Sequence, residues 1–140
     1  MLNLFLLGRH VEDRLGRIEF LKFYLIAIIV SGLGFTLIHF ATGQAFSYVV
    51  GASGGVTAVL MLFVFMFWNE QIRLFGIIPM PAWILGVILV LSDLSHAFQP
   101  DIPIAWEAHM VGSAFGAVYF LQKWNFRWVD FGGLGKTLKR

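Results

Sequence analysis

Two short stretches contain the residue types of a hydrolytic site. Ser53 lies among glycines in GASGG (51–55), and His109 opens the run HMVGSAFG (109–116). A serine hydroxyl is a poor nucleophile until a base accepts its proton, and a neutral imidazole is the usual base near pH 7. Gly51 and Gly55 flank Ser53 four residues apart, and Gly112 and Gly116 follow His109 at the same spacing. Small residues so spaced give a flat helix face on which two backbones approach closely. A Ser–His hydrogen bond between helices requires that approach. If Ser53 opens a helix, the unpaired amides of the first turn, such as those of Ser53 and Gly54, would meet an oxyanion formed there, reinforced by the helix dipole. Serine at a helix start, glycine for access and histidine on a neighbouring helix together describe acyl transfer. A lone serine in an apolar helix is ordinarily a packing residue. The histidine, costly in apolar surroundings, and the matched glycines favour catalysis.

The elements that must hold this pair are membrane helices. The chain has 140 residues, 59% hydrophobic and 13% charged, with a mean hydropathy of +0.80, far from the soluble norm. A bilayer core of ~30 Å needs roughly 17–25 apolar helical residues to span it. Four stretches qualify, 23–40, 51–68, 77–94 and 105–122. Residues 1–8 would cover only about 12 Å at the helical rise, a partial span. They lack the basic n-region and small-residue cleavage site of a signal peptide. The expected fold is an all-α polytopic transmembrane helix bundle in one domain, with four full spans, a partial N-terminal one and an interfacial tail over 123–140.

The basic residues set its orientation. Arg9, Arg14, Arg17 and Lys22 precede the first full span, Arg73 separates the second from the third, and Lys123, Arg127, Lys136, Lys139 and Arg140 follow the fourth. Segments 41–50 and 95–104 carry no Lys or Arg. By the positive-inside rule the basic segments are cytoplasmic and the other two lie outside. Spans 51–68 and 105–122 then both run outside to inside, which puts Ser53 and His109 at similar shallow depth. Ser47, Tyr48 and the 95–104 loop are candidate edges of a wet cavity beside them. Pro79 and Pro81 are expected to open the third span and Asp93 to close it. Tail residues Trp124, Phe126, Trp128 and Phe131, mixed with basic residues, suit the headgroup region. Its GGLGK lacks both the preceding strand and the spacing of a phosphate loop.

Other chemistries fit less well. With no cysteine, thiol catalysis and thiolate metal sites are excluded. His39, His96 and His109 all fall toward the outer side, and Asp93 is three residues before His96. These spacings are weak for zinc, and Asp93 with His96 reads as an interfacial pair. No metal, cofactor or nucleic-acid partner is expected. A ligand-free structural bundle is the remaining reading.

The motifs resemble those of the rhomboid family of intramembrane serine proteases, with Gly-x-Ser-x at the head of one helix and Ala-His-x-x-Gly-x-x-x-Gly in a later one. Here they read GASG (51–54) and AHMVGSAFG (108–116), and LLGRHVEDRLGRIEFLKFY (6–24) is similar to the family's loop after its second helix. The resemblance implies Ser53 as nucleophile and His109 as general base, with no aspartate required. It also implies transmembrane protein substrates that unwind into a site near the outer face of the bilayer, in a multi-pass protein of the plasma (inner) membrane. The alternative is a catalytically inactive relative that binds transmembrane clients. Two departures stand out. The family's His-x-x-x-Asn motif, which helps bind the oxyanion, would align before Met1, and Asn3, one turn deeper, is a poor substitute. Thr57, grouped with Gly51 and Gly54 as site-shaping, stands where many members carry an aromatic ring that stacks on the histidine, so His109 is expected to be held less firmly.

Overall fold

The computed structural model describes residues 2–43, 52–74, 76–99 and 106–124. In chain order these form α1 (Leu2–Leu15), α2 (Arg17–Thr42), α3 (Ser53–Met66), β1 (Gln71–Leu74), β2 (Ile78–Pro81), α4 (Ala82–Ala97) and α5 (Trp106–Trp124). The architecture is mostly helical, as expected. Three boundaries differ from the hydropathy reading. The N-terminal partial span continues as helix through HVEDRL to Leu15, so the polar residues before the first full span are α1's last turns rather than a loop. Gly16, at φ 88°, then breaks the chain direction, a conformation open to glycine because it has no Cβ.

The second difference lies at the third span, where residues 78–81 are not helical. They pair with β1 in an antiparallel ribbon of register Gln71↔Pro81, Ile72↔Met80, Arg73↔Pro79 and Leu74↔Ile78. The prolines account for this. Each disfavours the helical conformation in the residue before it, which leaves Ile78 and Met80 extended. A two-stranded ribbon has only edges, where a missing N–H is tolerated. The helix therefore starts at Ala82, just after Pro81, and runs on to Ala97. Its first amides are satisfied by the turn that follows α3, from Ala82 to the Glu70 carbonyl at 3.0 Å and from Trp83 to the Trp68 carbonyl at 3.3 Å.

Third, the spans differ in length. Among the described residues one helix, Arg17–Thr42, is by itself long and apolar enough to cross a bilayer, while Ser53–Met66 and Ala82–Ala97 are apolar but shorter. On α2 the buried side chains recur every fourth residue, at Phe23, Ala27, Ser31, Phe35 and His39. The rest of the helix exposes Leu21, Leu25, Ile29, Leu33, Leu37 and Phe40. Such an apolar outer face would be an association surface in water and is at home against lipid tails.

Helix α3 is the centre of the bundle. It packs against α1, α2, α4 and α5, and Thr57 through Val64 are all buried. Contact with α5 runs backbone to backbone. A Cβ on Gly112 would fall on the carbonyl of Gly54, and one on Gly116 would lie 2.5 Å from the carbonyl oxygen of Ala58. Gly55 is turned instead toward α2, where a Cβ would meet Ile28 Cγ1 at 2.6 Å. The two glycines of α5 thus meet α3 on the Gly54–Ala58 face, and Gly55, one residue (about 100°) around the helix, serves the α2 contact.

The end opposite Ser53 is held by polar contacts. Glu19, in the first turn of α2, accepts a hydrogen bond from the Tyr119 hydroxyl at 3.0 Å and pairs with Lys123 near the end of α5. Arg14 lies over the ring of Phe67, 5.1 Å from its centroid, just past the end of α3. Arg14 and Lys123 therefore share one end of the bundle, in agreement with the charge pattern.

Two predictions follow from this packing. Gly112→Ala should lower stability in detergent by roughly 1–3 kcal/mol, because its Cβ meets backbone that cannot rotate away. Gly32→Ala, whose Cβ would meet nothing within 4 Å, should be neutral or stabilise by about 0.5–1 kcal/mol. Equal thermal midpoints for the two variants would refute the α3–α5 contact. Gly16→Ala, forced to a positive φ with extended ψ, should destabilise by roughly 1–3 kcal/mol although its Cβ has open space around it. A wild-type midpoint would show that the α1–α2 junction does not need this conformation.

Candidate active site

Ser53 is the first residue of α3, and the helix is entered through Ala52 without a side-chain cap. The first amide satisfied along the helix is that of Val56, bonded to the Ala52 carbonyl at 3.0 Å. The amides of Ser53, Gly54 and Gly55 precede it and form the group of helix-start donors that lack partners within the helix. Placing a serine here puts its hydroxyl beside amides able to receive negative charge.

His109 lies in the first turn of α5, and the glycine contacts align that turn with the start of α3. A Cβ on Gly54 would fall on the Ser31 hydroxyl and lie 3.0 Å from the carbonyl oxygen of Ala108. Gly54 follows Ser53, and Ala108 precedes His109. The two turns therefore lie side by side where α3 crosses α5. Both Ser53 and His109 are half-buried, and among the described residues no hydrogen bond joins them.

Asp93, in the last turns of α4, is 5% exposed, and its Oδ1 lies 3.0 Å from Nδ1 of His109. The sequence spacing had suggested a pair with His96. That pairing is corrected here: the carboxylate turns inward to α5, while the His96 Nδ1 is buried without a hydrogen-bond partner among the described residues. Asp93 is the contact of His109 that motif spacing missed. A signal was present, because no other acidic residue occurs between Glu70 and Asp101. A lone carboxylate in so apolar a stretch requires a partner, but a separation of sixteen residues did not reveal which one.

The remaining candidates have other placements. The Thr57 hydroxyl donates to the carbonyl of Ser53 at 2.9 Å, so it fastens the first turn of α3. His39 is buried on α2, stacked on Phe35 with ring centroids 4.0 Å apart. His10 bonds the Leu6 carbonyl at 2.8 Å and sets its ring edge-on to Phe63. Among the described residues no group of three or more His, Asp or Glu side chains could hold a metal ion. Gly51, Ser47, Tyr48, residues 100–105 of the outer loop and the tail from 125 lie outside the described residues. The side chain of Asn3 does so as well.

Comparison with known proteins agrees with the motifs. The Rhomboid domain family matches residues 1–125. The chain is 30% identical to the RHOMBOID-like protein 12, mitochondrial, of Arabidopsis thaliana, over an alignment that covers 91% of this chain and 42% of that protein. It thus spans about two fifths of the length of this curated relative. No solved structure matches it significantly. With the family matching nearly the whole chain, and with Ser53–Gly54 and AHMVGSAFG brought together where α3 crosses α5, this protein belongs to the rhomboid family of membrane-embedded proteins.

Proposed function

We propose that this chain carries the site of an intramembrane serine endopeptidase that cleaves transmembrane protein substrates, with Ser53 as nucleophile and His109 as general base. The observation that supports this reading most is the α3–α5 crossing, whose glycine contacts bring the first turns of the two helices together. His109 takes the Ser53 proton as Oγ attacks the scissile carbonyl carbon. Negative charge on the carbonyl oxygen is met by the helix-start amides of α3. Breaking the C–N bond sends the His109 proton to the leaving amine and leaves an ester on Ser53. Water, deprotonated by the same imidazole, releases the acyl group and restores the hydroxyl.

Depth supports the same reading. Fourteen residues cover about 21 Å at the helical rise, less than a bilayer core of ~30 Å. A helix this short, starting at a serine, leaves its polar first turn within the membrane's thickness. Backbone at that depth is tolerated where protein buries it or water reaches it, and hydrolysis needs the water. A substrate must present an unwound segment, since helical amides are already hydrogen-bonded and sterically closed. The basic residues orient the site toward the opposite, outer face of a multi-pass membrane protein. The relative's mitochondrial name makes an organelle membrane an alternative to the plasma membrane. A second reading, an inactive relative that binds transmembrane clients, takes support from the lack of a Ser53–His109 hydrogen bond among the described residues.

Ser53→Ala and His109→Ala should each reduce cleavage of a model transmembrane substrate by at least about 10³-fold, since members of a catalytic unit fail together. His96→Ala should keep most of the activity. A fluorophosphonate should add its mass to Ser53 in wild type and not in His109→Ala. Wild-type cleavage by Ser53→Ala would overturn the protease mechanism. Absence of both labelling and cleavage, with a transmembrane client still bound, would favour the inactive relative.

A further inference from the structure

We propose that Asp93 is a positioning residue for His109, so that the site works as a Ser–His–Asp unit rather than as a dyad. This inference rests on the protease reading of Ser53 and His109 and adds to it a carboxylate from a third helix. Nδ1 of His109 and Oδ1 of Asp93 lie 3.0 Å apart, and the two side chains are 21% and 8% exposed. An ionised carboxylate only accepts hydrogen bonds, so the ring must carry its proton on Nδ1. That tautomer leaves the lone pair on Nε2, the form a general base needs. The imidazolium formed when Ser53 gives up its proton would stand beside a negative charge already in place.

Three observations favour this role over a tie between helices. Asp93 is buried, and among the described residues its hydrogen-bond partner is His109 and no Lys or Arg. A carboxylate held away from water needs a partner able to take positive charge, and the general base is the group that becomes cationic during turnover. Next, His109 has no aromatic ring stacked on it among the described residues, and Thr57 spends its hydroxyl on the Ser53 carbonyl. Without Asp93 the imidazole could rotate. Finally, α4 is already seated by other contacts. Its amide start is fastened to the turn after α3, and Gly86 lets it lie against Val64 of α3. Packing of α4 does not need a charged pair at its far end.

Asp93→Asn separates the alternatives, because the amide keeps the shape and can hydrogen-bond either tautomer. In the full chain it should lower kcat for a model transmembrane substrate by at least about tenfold, toward the ~10⁴-fold loss seen on amidating the aspartate of a soluble triad. KM and the thermal midpoint should change little. In ¹⁵N spectra of imidazole-labelled protein, wild-type His109 should show a protonated Nδ1 and a bare Nε2, and Asp93→Asn should shift that population. Wild-type kcat in Asp93→Asn overturns the proposal. So does a loss of activity matched by a fall in thermal midpoint with an unchanged ¹⁵N signature, which would make Asp93 a tether. If Asp93→Asn is fully active while Ser53→Ala is dead, the positioning role alone fails. If Ser53→Ala cleaves normally, the protease reading itself fails.

Discussion

Everything at the site depends on one steric fact: the backbone of α5 rests on the backbone of α3. No side chain separates Gly112 from the Gly54 carbonyl or Gly116 from that of Ala58. In lipid, helices gain nothing from hiding apolar surface against each other, because the tails are as apolar as leucine. Close packing must supply the attraction, and only glycine permits this closeness. The same contact sets the register of Ser53 against His109. Gly54 cannot touch both Gly112 and Ala108 unless the serine before it and the histidine after Ala108 are also neighbours. Packing and chemistry are thus specified by the same few residues, and a change that loosened one would disturb the other.

A second constraint follows from α3 being short and central. Its sides are covered by four other helices, so its residues can be apolar on nearly every face, and Thr57 through Val64 are, apart from the Thr57 hydroxyl, which bonds back into its own helix. The first turn differs. Ser53 is half-buried, and the helix-start amides around it have no partner within the helix. On α3 the polar side chains sit in this first turn, at Ser53 and Thr57, while the opposite end of the bundle is fastened by Glu19, Tyr119 and Lys123.

Much of this was legible in the chain. Hydropathy placed helical runs over 51–68 and 105–122, where α3 and α5 lie, and over 23–40, which covers α2 except for its first six residues and its last two, because long apolar runs permit little else. The glycine pair of α5 announced its close face through spacing alone. Local chemistry was harder to read. Pro79 and Pro81 looked like the first turn of a helix, and only the partner strand at Gln71–Leu74 shows why the backbone stays extended. Helix α1 extends past Gly8 although its polar residues resemble a loop, since its inner side is fixed by contacts such as Val11, fully buried, which a local window cannot see. Asp93 was misassigned for the same reason. Spacing within α4 favours His96, whereas the true partner depends on how α4 leans on α5.

Thr57 and Asp93 explain each other. With an aromatic ring at position 57, a histidine on α5 could be held by stacking, which fixes the plane of the imidazole but leaves either nitrogen free to carry the proton. A carboxylate at Nδ1 fixes the orientation and the tautomer together. Its cost is a charge away from water, which restricts where it can sit. Asp93 occupies the last turns of α4, near the outer end where the helix stops, and its carboxylate has a donor within 3.0 Å. Deeper on α4 the carboxylate would meet Val64 and the apolar wall of α3. Further out it would be solvated, and its hold on the ring would weaken with the rising dielectric. On the proposed reading, a threonine that closes the first turn of α3 and an aspartate at Nδ1 of the base are two halves of one solution to keeping an imidazole aimed.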